Sequence, residues 1–259
     1  MQKATFWING EKLHRELPSK NDEVMPGVKW GSFDTPFTPA FWATQSWLKR
    51  TTCQMPSYRL GENFEEELGA CLLGGYGMQA ELGMAAFSLL KENKIFAQQQ
   101  VTSIQIEKLL CQPLPVKGKK VRYRFPKQKS QYLSEALQTL QEAPPSLEDG
   151  YSLRNWLTEL KGIGYKTASW VVRNWLEFSE VAILDIHVLR AGMLAGFFPL
   201  GTELKGNYLE LESTFLKFAA AIEEPADKLD SNMWLMMKQM NKVAIRRLSA
   251  LNANQLFAQ

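Results

Sequence analysis

The sequence predicts an all-α, mainly helical fold. Three observations point there: apolar residues recur at helical spacing through most of residues 63–175, glycine or proline pairs interrupt the periodic stretches, and helix-starting residues stand where the stretches begin. At 259 residues the chain can bury a substantial core as one large domain or two modest ones, and a hydrophobic fraction of 45% is that of an ordinary globular protein. No stretch is long and apolar enough to suggest a membrane span, and the beginning MQKATFWINGEK lacks the basic-then-apolar layout of a secretory signal. The expectation is a soluble intracellular protein with no membrane contact.

Residues 1–61 are rich in aromatics and prolines, among them Trp30, Phe37, Phe41, Trp42, Trp47, Pro36 and Pro39. Prolines break helices, so this segment reads as an irregular layer with one helix near 40–49, packed on a body formed by residues 62–259. The body begins with a helix capped by Asn63, whose first turn carries Glu65, Glu66 and Glu67 and which Gly74 and Gly75 stop near Leu73. A second helix is expected over 78–91, with Leu82, Ala85, Ala86, Leu89 and Leu90 inward and Asn93 as its stop. A shorter one follows in 95–111, ended by Pro113 and Pro115, and another spans 131–141 with Leu133, Leu137 and Leu140 inward.

The net charge of +3 is unevenly spread. Residues 117–129 hold seven Lys and Arg and no acid, which leaves the rest of the chain at −4. Val121, Tyr123 and Phe125 alternate with Arg122 and Arg124, so a short strand or extended loop is expected, and its charge favours one local contact with an anionic backbone. The three cysteines, Cys53, Cys71 and Cys111, are too few and too far apart for a disulfide framework or an iron–sulfur site, and two histidines add little toward zinc. No metal and no cofactor is expected.

The chemistry concentrates in residues 153–190. Ser152 is a candidate N-cap for a helix with Leu153, Trp156, Leu157 and Leu160 on one side. Lys161-Gly162-Ile163-Gly164 then turns the chain into a helix over 165–175. Backbone N–H groups exposed by two glycines at a positive helix end make a seat for a phosphate. Lys166 lies in the first turn of that helix, where the positive helix end disfavours a second positive charge and so favours the neutral amine that nucleophilic attack requires. Asp185 follows the apolar run Val181-Ala182-Ile183-Leu184 at an N-cap position. A carboxylate held by helix N–H groups stays ionised when sheltered and can stabilise an electron-poor sugar carbon.

LKGIGYKTASWVV followed by ILDIHVLRAG resembles the helix-hairpin-helix, Gly/Pro-rich loop and aspartate signature of the DNA glycosylase superfamily (HhH-GPD). A lysine two places after the second hairpin glycine is similar to the bifunctional branch, 8-oxoguanine glycosylase/AP lyases in particular. RYRFPKQKSQYL resembles the stretch leading into the central helices of the prokaryotic members.

The resemblance implies two helical subdomains, a helix-hairpin-helix at about 152–176 and a DNA-binding cleft between the subdomains that takes a flipped-out nucleotide. By matching positions, Lys166 attacks the sugar and Asp185 assists. Gly162, Ile163 and Gly164 bind a backbone phosphate, His187 lies near another, and Lys127 and Lys129 join the backbone contacts. Where relatives place a polar side chain in the hole left by the flipped base, this chain has Gly74-Gly75-Tyr76, which makes Tyr76 the candidate wedge. For the base pocket, Trp234 would stack on a purine and Asn232 or Gln79 would supply hydrogen bonds, with the last long helix expected to begin at about Asp230.

The implied function is base-excision repair of oxidised guanine in double-stranded DNA by a monomer, located in the cytoplasm with the nucleoid in a prokaryote. Two alternatives stand beside it: a glycosylase for another damaged base, and a helix-hairpin-helix protein that only holds DNA. A pure binding module needs the hairpin glycines but neither Lys166 nor Asp185.

Overall fold

Helix ends and turns in this chain are set by a few polar and glycine residues, and the computed structural model, which describes residues 1–53, 58–75 and 77–240, shows where each acts. In chain order the elements are β1 (Gln2–Ile8), β2 (Glu11–Leu17), β3 (Glu23–Met25), β4 (Val28–Lys29), α1 (Pro39–Thr52), α2 (Phe64–Leu73) and α3 (Ala80–Glu92). A 3-10 turn (Ile95–Ala97) precedes α4 (Ser103–Leu110), β5 (Leu114–Val116), β6 (Lys119–Val121), α5 (Pro126–Glu142) and α6 (Gly150–Glu159). Then come α7 (Tyr165–Leu176), α8 (Ile186–Ala195), α9 (Tyr208–Ala221) and α10 (Ala226–Gln239). Helices dominate, as expected, and among the described residues the sheets are three separate two-stranded hairpins.

The chain forms two compact units, residues 57–178 and residues 1–56 with 179–259. In the second of these, Trp30, Phe37, Trp42 and Ala43 from the N-terminal stretch share one apolar core with Val188, Phe198, Phe215, Phe218, Leu229 and Met233. Arg15 on β2 fastens the same unit, donating to the carbonyls of Ala43 (2.8 Å) and Ile222 (3.0 Å) and pairing with the buried carboxylate of Glu224. The N-terminal stretch is also more regular than its prolines suggested. Asn9-Gly10, both at positive φ, close a two-residue turn that pairs β1 with β2 from Gln2↔Leu17 to Ile8↔Glu11. The expected helix is present as α1, opened by Thr38, whose hydroxyl accepts from Phe41 N, and by Pro39 at its first position.

In the unit 57–178, α2 is buried on all sides: every residue from Phe64 to Leu73 except Glu65 is inaccessible or nearly so. A helix buried all round must have its end groups satisfied from within the protein. At its N-terminus Asn63 caps Glu66 N (2.9 Å), as its sequence position predicted. One turn in, the fully buried Glu67 accepts from Leu60 N (2.6 Å), Gly61 N (2.9 Å) and Asn174 Nδ2 of α7 (2.8 Å). Of the alternating residues only Val121 lies in a strand, at the end of the hairpin β5–β6 turned by Lys117-Gly118 at positive φ, and residues 122–125 run on as a loop to α5.

Three expected boundaries move. α5 starts at Pro126, five residues before Gln131, because proline fits the first helical turn. α6 is capped by Asp149, not Ser152: the Asp149 carboxylate accepts from Tyr151 N (3.4 Å) and Ser152 N (2.8 Å), which places Ser152 inside the first turn. α10 begins at Ala226 after Pro225, four residues ahead of Asp230.

Candidate active site

The hairpin α6–turn–α7 is shaped by a close approach at one glycine. Gly162 has φ +83, and a Cβ there would lie 2.2 Å from the Tyr132 ring of α5, so only glycine lets the turn pack on α5. Ile163 is buried and anchors the turn, but its N–H donates to Leu160 O (3.1 Å). Gly164 differs from its neighbours. It is the N-cap of α7, it has no side chain to cap the helix, and no atom lies within 4 Å of where a Cβ would sit. α1, α2, α4, α6 and α8 begin with a side-chain cap, whereas α3, α5, α9 and α10, like α7, do not. The N-terminus of α7 is therefore an uncapped positive helix end reached past an unobstructed glycine, the arrangement that suits an oxyanion.

Lys166 occupies the second position of α7 and is half-buried. The helix beneath it is fixed by Ala168, Val171 and Val172, all fully buried. Its far end is held by Asn174 through Glu67 and by Phe64 packed edge-on against Trp175. The Gly74–Gly75 stretch after α2 lies against the same helix. A Cβ on Gly74 would touch the Trp170 ring at 3.2 Å, and one on Gly75 would come within 3.8 Å of Thr167 Oγ1, the residue next to Lys166.

Asp185 belongs to the other unit and caps α8 as predicted: Oδ1 accepts from His187 N (2.7 Å) and Val188 N (3.0 Å). The extended residues before it are held by side chains, not by a sheet. Ala182 N donates to Glu212 (3.0 Å), Ile183 N to Asp230 (2.8 Å) and Leu184 N to Tyr208 Oη (3.1 Å), and Tyr208 Oη donates to Ala182 O (2.7 Å). Glu212 and Asp230 are buried, so their charges are accommodated through such bonds. Sequence reasoning missed this cradle. Its signal was an acid within an otherwise apolar helical face, Glu212 between Leu211 and Phe215.

The remaining candidates are scattered. His187 is half-buried one residue into α8, and Lys127 is exposed in the first turn of α5. Lys129 points inward, its ammonium 2.6 Å from Leu72 O and 3.5 Å from Gly74 O. Of the other cations in the basic stretch, Lys117 pairs with Glu81 (2.9 Å) and Arg124 donates to Gly77 O (3.2 Å), whereas Lys119, Lys120 and Arg122 are exposed. On α10, Asn232 is buried with Nδ2 unpaired among the described residues, and the half-buried Trp234 carries the Lys238 ammonium 4.6 Å from its ring centroid. Gln79 is exposed at the start of α3, in the unit that does not contain Trp234 and Asn232. Tyr76 lies outside the described residues. Among the described residues there is no His, Cys, Asp or Glu group able to hold a metal ion.

Helical architecture, glycine hairpin and capping aspartate together define a helix-hairpin-helix DNA glycosylase fold. Solved structures agree: the crystal structure of Methanocaldococcus jannaschii 8-oxoguanine DNA glycosylase superposes with a TM-score of 0.58 at 22% identity, covering 77% of this chain and 94% of that one. The 8-oxoguanine DNA glycosylase of Thermotoga maritima gives 0.58 at 24% identity over 78% and 98%. Residues 57–224 match the 8-oxoguanine DNA glycosylase family (Ogg-HhH), and the chain belongs to that family. Among characterised relatives, an 8-oxoguanine DNA glycosylase/AP lyase of Metallosphaera sedula is 35% identical over 127 residues, 46% of this chain and 60% of the relative. One from Korarchaeum cryptofilum is 26% identical over 200 residues, 72% and 86%.

Proposed function

We propose that this protein excises 8-oxoguanine from double-stranded DNA and then nicks the strand, acting as a monomer inside the cell. The reading rests on the family match across 57–224, and the observation that carries the chemistry is Lys166 in the first turn of α7, beside an uncapped helix end suited to a phosphate. The α7 N-terminus and Gly164 hold the backbone, and exposed Lys127 adds a longer-range attraction. Neutral Lys166 Nζ attacks C1′ of the flipped nucleotide, the N-glycosidic bond breaks, and the base leaves with the bonding pair and takes up a proton. Asp185, oriented by the N–H groups of His187 and Val188 that donate to its Oδ1, stabilises positive charge on the sugar and accepts the lysine proton. Ring opening gives a Schiff base, loss of the C2′ proton breaks the C3′–O bond, and hydrolysis frees the amine.

Borohydride reduction tests this directly. Wild-type protein should become covalently attached to DNA containing 8-oxoguanine, and Lys166→Gln should not. Attachment to an abasic site with none on 8-oxoguanine would mean that another base is the substrate. Trapping that survives in Lys166→Gln would eliminate the lysine mechanism, and binding without trapping on either DNA would leave a protein that only holds DNA.

A further inference from the structure

The C-terminal end of α2 presents a problem of buried carbonyls, and two side chains from one short stretch, Tyr123 and Lys129, solve it while Arg124 serves a carbonyl further along. Tyr123 Oη donates to Leu73 O (2.6 Å), Lys129 Nζ to Leu72 O (2.6 Å) and more distantly to Gly74 O (3.5 Å), and Arg124 Nη1 to Gly77 O (3.2 Å). Leu72 and Leu73 are fully buried, so water cannot serve their oxygens. Carrying an ammonium into such a place costs free energy, and burial accordingly lowers the Lys129 pKa. An exposed cation meant for DNA phosphates would bear no such cost.

What Lys129 holds is the glycine loop beside the nucleophile. Gly74 backs onto Trp170, Gly75 faces Thr167, and a Cβ on Gly83 would meet Gly74 Cα at 3.1 Å, so the loop is wedged between α3 and the first turns of α7. We propose that Lys129, supported by Tyr123, is a positioning residue that fixes the Gly74–Gly75 segment against the Lys166 helix and thereby serves base excision more than strand nicking.

The proposal rests on the Lys166 chemistry assigned above. The segment faces Thr167, next to Lys166, so displacing it disturbs the place into which a damaged base must be extruded before Lys166 can attack its C1′. An abasic sugar presents no base and is less affected. A misplacement of about 1 Å near reacting groups is enough to slow chemistry by roughly a hundredfold.

The experiment compares wild type, Lys129→Met and Lys129→Arg on three duplexes, containing 8-oxoguanine, an abasic site or no damage, together with amide hydrogen exchange of Leu73, Gly74 and Gly75 without DNA. At saturating protein, Lys129→Met should excise 8-oxoguanine at least about tenfold more slowly and nick the abasic duplex within about twofold of wild type. Its affinity for undamaged duplex and the salt dependence of that affinity should not change, exchange at the three amides should accelerate, and Lys129→Arg, which keeps donors, should restore part of the excision rate.

Weaker binding to every duplex, a salt slope shallower by about one and an unchanged saturated rate would make Lys129 a phosphate contact and overturn the proposal. Equal losses on both damaged duplexes, or unchanged exchange in Lys129→Met, would overturn it too. A wild-type protein that nicks abasic DNA yet leaves 8-oxoguanine in place refutes the assigned base instead. The exchange measurement then decides the role of Lys129.

Discussion

Asp185 has two roles that a pair of substitutions can separate. As an N-cap its Oδ1 serves two helix N–H groups, at 2.7 and 3.0 Å, and an asparagine Oδ1 can accept both. Asp185→Asn should therefore keep stability to within about 0.5 kcal/mol, since Asn and Asp cap about equally well. Asp185→Ala removes the acceptor and leaves those N–H groups unserved at the head of a helix whose Val188 and Leu189 are buried, for a loss of about 1–2 kcal/mol. For a chain of this size that is roughly 2–8 °C in melting temperature. Charge behaves differently from capping. Replacing the anion by a neutral amide should reduce single-turnover excision by about a hundred- to a thousandfold, the usual scale for removing one preorganised electrostatic partner of a transition state. Calorimetry and single-turnover cleavage of 8-oxoguanine duplex, run on both variants, give the answer. Full excision by Asp185→Asn would reduce Asp185 to a cap, and equal melting losses for the two variants would show the capping geometry to be misread.

Two other outcomes follow from the same structure. Gly162→Ala must hold a left-handed residue and push Tyr132 aside, so it should lose about 2–4 kcal/mol of stability, whereas Gly164→Ala, with open space at its Cβ, should melt like wild type yet bind duplex DNA several-fold more weakly; calorimetry and a binding titration separate them. Glu66 should contribute to acid stability: burial pushes its pKa up, but the Glu62 N–H and the Lys91 ammonium outweigh that and hold it below the ordinary carboxylate value. With the folded pKa below the unfolded one, that stabilisation is complete above the unfolded pKa and fades as pH falls through the folded value, so Glu66→Gln should flatten the stability curve on the acid side in urea titrations at several pH values.

How much was legible before folding depends on the range of the interaction. Asn63 and Asp185 as caps, Gly74 as a stop and α3, α7 and α8 as helices follow from residues within one or two turns of each other, and the structure places them as expected. Asn9-Gly10 was an equally local signal for the β1–β2 hairpin, hidden by the prolines further along. Ser152 gave way to Asp149 because two candidate caps stood three residues apart and a carboxylate accepting two N–H groups prevailed.

The sequence by itself determined the helical class, the glycine hairpin and the chemical types at Lys166 and Asp185, because capping, helical periodicity and hairpin turns depend on near neighbours. Only tertiary structure decided which polar groups are already committed. Lys129 belongs to a run of cations in sequence, and only the fold brings its ammonium to Leu72 O, 57 residues away. Glu212 and Asp230 gain their role only when the backbone before Asp185 is seen to rest on them, 30 and 47 residues away in sequence. A buried peptide group must find a partner, and which distant side chain meets it is fixed by packing, not by the spacing of residues along the chain.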